Sequence, residues 1–280
     1  MKPLDKIVQK LIINGSLTDQ PGLFYGKTGI VVFFFHYAQY TGNELFRDYA
    51  MDLIEDIRKQ ITYLFINRYD IGLAGIGVGF EYILQTGLLD AEDKNIFEEF
   101  DDRMYRTIKY EQYSNLSLSQ GLTGWGRYFI YRLKGSCNED IQLHKALTYI
   151  ASEIIHKISK NEVQENEKFD VYRFFYDLNK LTGYAEKYSN ILYQCMKWKC
   201  ISELDIQKIF PYMNNLQRMY ACQNYFSFDL TEEISREWKK WEETDNNTLM
   251  NVGLLNGWTS EALLHLTFSG KMNVSWINLL

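Results

Sequence analysis

The stretch NLSLSQGLTGWGRYFIYRL, residues 115–133, sets two glycines, Gly121 and Gly124, at the head of an apolar run with helical spacing. Glycine weakens a helix by about 0.5–1 kcal/mol relative to alanine, so its place at a helix mouth marks a backbone that needs room. The signature recurs. GKTGIVVFFFHYAQYTG (26–42), GLAGIGVGFEYILQTG (72–87), GLTGWGRYFIYRLKG (121–135) and GWTSEALLHLTFSG (257–270) each open on Gly-x-x-Gly or Gly-x-x-Ser and run into an apolar helix. Each closes on a glycine, Gly42, Gly87, Gly135 or Gly270, that fits a left-handed C-cap. After the first three come longer amphipathic stretches with acidic first turns, NELFRDYAMDLIEDI, DAEDKNIFEEFDDRMYRTI and NEDIQLHKALTYIASEIIHKI.

The starts at 26, 72 and 121 are 46 and 49 residues apart, and the next, at 257, lies 136 further, which leaves room for two degenerate copies. FDVYRFFYDLNKLTGYAEKYSNILYQCM keeps the apolar helix and a closing Gly183 without the opening glycines. The other copy is the helix within ELDIQKIFPYMNNLQRMYACQNYF, followed by DLTEEISREWKKW. With the amphipathic N-terminal helix, six short apolar helices alternate with six longer charged ones. This predicts an all-α fold: an α/α toroid of about six helical hairpins in a single domain, 1–280, with the glycine-started helices inside. The starts then converge on one mouth, where free N–H groups face a ligand.

Composition narrows the function. The 280 residues are 46% hydrophobic and 24% charged, with a formal net charge of -6 and scattered basic residues, so no nucleic-acid surface is expected. Aromatic content is high at 16%, which suits thick helix packing or a ring-lined cleft. The longest apolar run, GIVVFFF, is far short of a membrane span, and MKPLDKIVQKLIING lacks the pattern of a signal peptide. A cytoplasmic protein is expected. Cys137, Cys195, Cys200 and Cys222 read as reduced thiols, and the spacing of Cys195 and Cys200 matches no metal site. Pro3, Pro21 and Pro211 precede or separate helices.

At these residues the chain resembles the lanthionine synthetase C-like (LanC-like) family, the α/α-toroid cyclases of lanthipeptide maturation, most strongly over 22–135. YDIGLAGIG looks like that family's Tyr-Asp segment before its second Gly-x-x-Gly, and GLLNGWTSEALLHL looks like one of its last inner helices. The resemblance implies a zinc held by a Cys of Trp-Cys-x-Gly and by the Cys and His of Cys-His-Gly. The metal makes a substrate thiol a thiolate for addition to a dehydroamino acid, while a nearby His and Asp handle protons. The matching positions differ here. Gln120 stands where the proton-handling His is expected, and PYMNN lacks the thiol of Trp-Cys-x-Gly. If GLLNG is the Cys-His-Gly unit, Leu255 and Asn256 replace both ligands; if it is the unit after it, the zinc helix is absent. Of the reactive set Asp70 alone is retained. No metal, no cofactor and no zinc-dependent cyclisation are expected.

Other candidates remain open. His36 and His265 lie on inner helices as a two-His metal site or as packing residues, and His144 and His156 lie on an outer helix. Asp70, Glu81, Asp177 and Glu261 offer an acid/base pair, which in glycoside hydrolysis requires roughly 5–9.5 Å between carboxyls, or else pair with Arg127 or Arg132. Tyr25, Lys27, Tyr69, Trp125, Arg127, Asn256 and Trp258 sit beside the glycines, either to hold a peptide or sugar or to plug the mouth. The acidic NEVQENEK (161–168) reads as a solvated loop or a partner-binding one. The reading is a protein related to ribosomal peptide modification that binds a peptide substrate or precursor peptide. The alternatives are a carboxylate-dependent hydrolase of the same fold and a scaffold for a modifying enzyme.

Overall fold

The computed structural model describes residues 4–64, 66–90, 97–136, 140–202, 209–210, 212–243 and 251–280. Cys137, Pro3 and Pro211 lie outside the described residues. In chain order the helices are α1 (Leu4–Leu17), α2 (Lys27–Thr41), α3 (Glu44–Ile61), α4 (Leu73–Gln85), α5 (Glu98–Tyr110), α6 (Leu122–Gly135) and α7 (Ile141–Ser159). There follow α8 (Lys168–Leu178), α9 (Ala185–Met196), the single turn α10 (Lys199–Ser202), α11 (Asn215–Phe226), α12 (Thr231–Glu243) and α13 (Trp258–Phe268). No strand occurs among the described residues, and none of their helices is long and apolar enough to cross a membrane.

The chain divides into two compact units, Met1–Leu64 with Phe210–Leu280, and Phe65–Ile209. In the first, α2 packs on α3, α11 on α12, and the first helix α1 on the last, α13. In the second, α4 packs on α5, α6 on α7 and α8 on α9, while α6 also packs on α4 and α8. Two kinds of helix result. α2, α4, α6 and α8 are buried on nearly every side, whereas α3, α5 and α7 bury one stripe, such as Ala50, Leu53, Ile57 and Ile61 of α3. Rings fill the contact of α2 with α3: Phe34 meets Tyr49 edge-on at 4.8 Å and Tyr37 meets Phe46 at 4.6 Å. Both degenerate copies are present as hairpins, α8–α9 and α11–α12.

Gly42, Gly87 and Gly270 take the left-handed conformation their closing position requires, with φ of 66°, 67° and 68°, and Gly183 does so at 81°. Gly135 departs from that expectation. It is the last residue of α6, and an added Cβ there would run into the Glu81 carboxylate, so the position is glycine because a buried acid lies against it.

The opening glycines make room for close backbone approach, as read in the sequence, but the backbone that approaches is the chain's own preceding loop. Gly26, Gly72 and Gly121 have extended backbones that any residue adopts, with φ of -135°, -122° and -115°. The constraint is space. A Cβ on Gly26, Gly72 or Gly121 would lie under 3.0 Å from the carbonyl six residues upstream, that of Gln20, Ile66 or Asn115. The loop folds back over its own helix start, and that same carbonyl accepts the first helical N–H: Lys27 N to Gln20 O at 2.8 Å, Leu73 N to Ile66 O at 2.9 Å, Leu122 N to Asn115 O at 3.0 Å. Trp258 N repeats the bond to Asn251 O at 2.9 Å. Thr28, Thr123 and Thr259 add hydroxyl bonds to the carbonyls of Pro21, Leu116 and Val252. These N–H groups, expected to face a ligand, are therefore used by the chain itself.

Gly121→Ala should cost about 3 kcal/mol or more of unfolding free energy, as a forced backbone distortion does. Gly42→Ala, whose new methyl meets nothing within 4 Å, should cost only about 1 kcal/mol for its left-handed φ. Urea unfolding of the two variants reads the difference.

Candidate functional site

The fold-back gives each helix start the same two-position pattern. The residue just before the capping glycine faces solvent or is partly exposed: Tyr25, Ile71, Gln120 and Asn256. The residue before that turns inward, and Phe24, Asp70 and Leu255 are buried with Ser119 half-buried. Within each unit two such loops lie side by side, joined through the inward position. Leu255 N donates to Phe24 O at 3.2 Å in the first unit, and Asp70 N donates to Ser119 O at 3.2 Å in the second, where Tyr69 N shares the same acceptor at 3.0 Å.

In the first unit Tyr25 is 39% exposed. Asn256 is exposed, holds a left-handed φ of 54° and donates its side-chain amide to Tyr212 O. Gln217 of α11 braces this loop from below, its amide donating to Leu254 O at 3.2 Å and Ser260 Oγ at 2.7 Å. Lys27 is buried, and its ammonium bonds Asp56 Oδ2 of α3 at 2.9 Å, so it is not presented to a ligand. Trp258 is half-buried with the Lys10 ammonium 4.8 Å from its ring centroid. Glu261, one turn into α13, is buried.

In the second unit Gln120 is exposed, while Tyr69 and Trp125 are buried. Asp70 is buried in a two-pronged pair with Arg68, Nε to Oδ1 at 2.9 Å and Nη2 to Oδ2, and Oδ1 also accepts Ile71 N at 2.9 Å. Arg127 gives Nη1 to Asp177 Oδ2 at 2.9 Å. Glu81 lies nine residues into α4, about 12 Å along the axis from its start. It accepts from Arg132 Nη1 and from Gln85 Nε2 at 2.9 Å, and Arg132 also holds Asp101, Nη2 to Oδ2 at 2.7 Å. Burial pushes the Glu81 carboxyl above its ordinary range and Arg132 pulls it back. Asp70 and Glu81 thus sit at opposite ends of α4, each on its own arginine, and do not form an acid/base pair.

Two acids not singled out in the sequence hold the 115–121 loop in place. Glu167, within the supposedly solvated acidic stretch, is 3% exposed; its Oε1 accepts Leu116 N at 2.8 Å and its Oε2 accepts Gln164 N at 3.0 Å. Asp170 accepts Leu118 N at 2.8 Å, and burial pushes its carboxyl up to about 6. Where the fourth copy lost its glycines it gained carboxylates that grip its neighbour's loop. The Gln164-x-x-Glu167 capping box was the available signal.

His265 lies against Trp238 and Trp241 at 5.1 Å and 5.5 Å between ring centroids, His36 is held neutral by burial with its pKa lowered to about 4, and His144 Nδ1 bonds Tyr184 Oη at 2.7 Å. Burial raises the thiols of Cys195 and Cys222 to about 12 and about 11. Among the described residues no three His, Cys, Asp or Glu side chains are grouped to hold a metal ion. If GLLNG is the Cys-His-Gly unit, a zinc of the kind the resemblance implies does not fit there, since Leu255 offers no donor atom and Asn256 carries an amide in place of an imidazole.

No family model and no curated protein matches the sequence. A solved structure, described as a nisin cyclase, is similar at a TM-score of 0.57 and 12% sequence identity, over 99% of this chain and 96% of that one. At that identity the likeness establishes the fold, which is the all-α LanC-like α/α toroid.

Arg132→Leu, which strands the buried Glu81, should lower stability by about 3–5 kcal/mol, and adding Glu81→Gln should return part of it; thermal unfolding checks both. Asp170 has its carboxyl raised in the fold, so the folded chain binds the extra proton between about pH 4 and 6 and Asp170's contribution to stability falls as pH rises through that window. The stability of wild type relative to Asp170→Asn should decline from pH 4 to 7, as paired melts at each pH would show.

Proposed function

We propose that this chain is a peptide-recognition protein of LanC-like fold that does not carry out zinc-dependent cyclisation. The observation that carries the reading is the pair ahead of Gly257: Leu255 is 6% exposed with an apolar side chain, and Asn256 is engaged with Tyr212. If GLLNG is the Cys-His-Gly unit of the resemblance, these residues stand in place of two metal ligands; if it is the unit after it, the zinc helix is absent, and either way the chain lacks that ligand pair. Zinc activates a thiol by coordination through thiolate and imidazole, and neither is offered there. Gln120, in the place of the proton-handling histidine, does not titrate near neutral pH.

What the helix starts do offer is neutral. In the first unit Tyr25 is exposed and carries a hydroxyl, and in the second Gln120 is exposed and carries an amide; each can bond a peptide group without asking for charge. The partner class is a peptide of the ribosomal modification type, held while another enzyme acts on it.

Metal analysis of chain purified without chelator should find zinc far below one atom per chain; a full equivalent overturns the non-metal half of the reading. Fluorescence anisotropy with labelled linear peptides containing Ser, Thr and Cys tests the other half. Binding is expected, weakened roughly two- to tenfold in Gln120→Ala by the loss of a side-chain hydrogen bond. Absence of binding, or an unchanged affinity in Gln120→Ala, overturns it.

A further inference from the structure

The loop that carries Gln120 is gripped from a neighbouring hairpin as well as from within. Inside the loop, Ser117 N and Ser117 Oγ donate to Asn115 Oδ1 at 3.0 Å and 2.7 Å, Gln120 N donates to Ser117 Oγ at 3.3 Å, and Gly121 N and Leu122 N donate to the carbonyls of Ser117 and Asn115. Two donors leave it. Leu116 N goes to Glu167 Oε1 and Leu118 N to Asp170 Oδ2, each at 2.8 Å, across 51 and 52 residues of sequence. Ser117, to which Gln120 is tied, is the residue between those two.

The two acids differ in kind. Glu167 is fixed by its second oxygen, which accepts Gln164 N at 3.0 Å in the capping box. Asp170 stands among opposed charges: those acting on it are Arg173 and Glu167 from its own stretch and Arg127 from α6, while the 115–121 loop brings no ionisable side chain. Asp170, Leu118, Thr123, Arg127 and Arg173 line a cavity of about 10 Å³, room for about one water molecule, so no solvent layer separates the carboxyl from the loop. Burial pushes the Asp170 carboxyl up to about 6 against the pull of Leu118 N and the arginines, which brings its change of charge close to neutral pH. An N–H bond to an ionised carboxylate is roughly twice as strong as one to a neutral acceptor. The grip on Leu118 therefore tightens when Asp170 loses its proton and slackens when it gains one. The 251–257 loop of the first unit is braced instead by Gln217, which cannot titrate.

We propose that Glu167 and Asp170 are positioning residues for Gln120, and that the Asp170 proton sets how firmly the loop presents the Gln120 amide to a peptide. The proposal rests on the peptide-recognition reading and adds regulation by pH to it. Ionised Asp170 holds the loop pre-organised for binding; protonated Asp170 loosens it.

The test takes the peptides of the preceding section, acetylated, amidated and carrying a pH-insensitive rhodamine, so that they do not titrate between pH 5 and 7.5. Wild-type affinity should rise about two- to fivefold over that range, the difference between a charged and a neutral acceptor. Asp170→Asn, which keeps the shape and an acceptor oxygen and cannot ionise, should bind as wild type does at pH 5 and show no slope. Gln120→Ala should bind weakly and also without slope. A flat wild-type profile, or a slope that survives in either variant, overturns the proposal and leaves peptide recognition standing. A second readout needs no peptide. In ¹H–¹⁵N NMR spectra the Gln120 side-chain amide should shift with a midpoint near pH 6 in wild type and stay still in Asp170→Asn. Movement of the Leu118 amide with none at Gln120 marks a purely structural acid and overturns the positioning role. If wild type binds no peptide, recognition falls, and the Gln120 resonances alone decide whether Asp170 positions that residue.

Discussion

A hydrogen bond from the first N–H of a helix to a carbonyl seven residues upstream is the constraint on which each glycine-started repeat depends. To make it, the chain must fold back over its own helix start, and the residue lying under the returning carbonyl has no room for a Cβ. The bond satisfies an otherwise orphaned donor, fixes the angle at which the loop enters the helix, and sorts the two residues before the glycine into one that faces inward and one that faces out. The inward residue then links to the adjacent loop through the backbone, Leu255 to Phe24 and Asp70 to Ser119. Much of the site's framework is built from main chain, so the side chains at those positions are free to vary without loss of the fold.

That freedom separates architecture from chemistry. A fold likeness to a nisin cyclase at 12% identity is what a main-chain-determined framework allows, and function resides in the residues mounted on it. On this chain the mounted residues ahead of the capping glycines are tyrosine, isoleucine, glutamine and asparagine facing out and phenylalanine, aspartate, serine and leucine facing in. One of these eight is charged, and Asp70 is already neutralised by Arg68.

The buried inner helices impose a second constraint. A helix covered on nearly every side cannot leave a carboxylate or guanidinium unpaired, because desolvating a lone charge costs several kcal/mol. Arg127 with Asp177, Arg132 with Glu81 and Asp101, and Glu167 with the amide of Leu116 are the solutions found here. They tie α6 to α8, α4 and α5, and the 115–121 loop to the turn before α8. Acids that composition presents as candidate reactive groups are thereby employed in joining neighbouring hairpins.

The helical class, the order of hairpins including both degenerate copies, and the left-handed closures at Gly42, Gly87 and Gly270 were all legible in the amino-acid sequence. Each depends on local chemistry: apolar periodicity, caps, and the conformations open only to glycine. The absence of zinc-binding side chains at Leu255 and Asn256 was legible for the same reason, since a residue's donor atoms are part of its identity. The partners were not. That Gly135 makes way for Glu81, that Glu167 is buried under a neighbouring loop and that Trp125 borders a cavity depend on groups up to 54 residues distant. Such pairings are chosen by which hairpins lie side by side, and side-by-side packing is a property of tertiary structure alone.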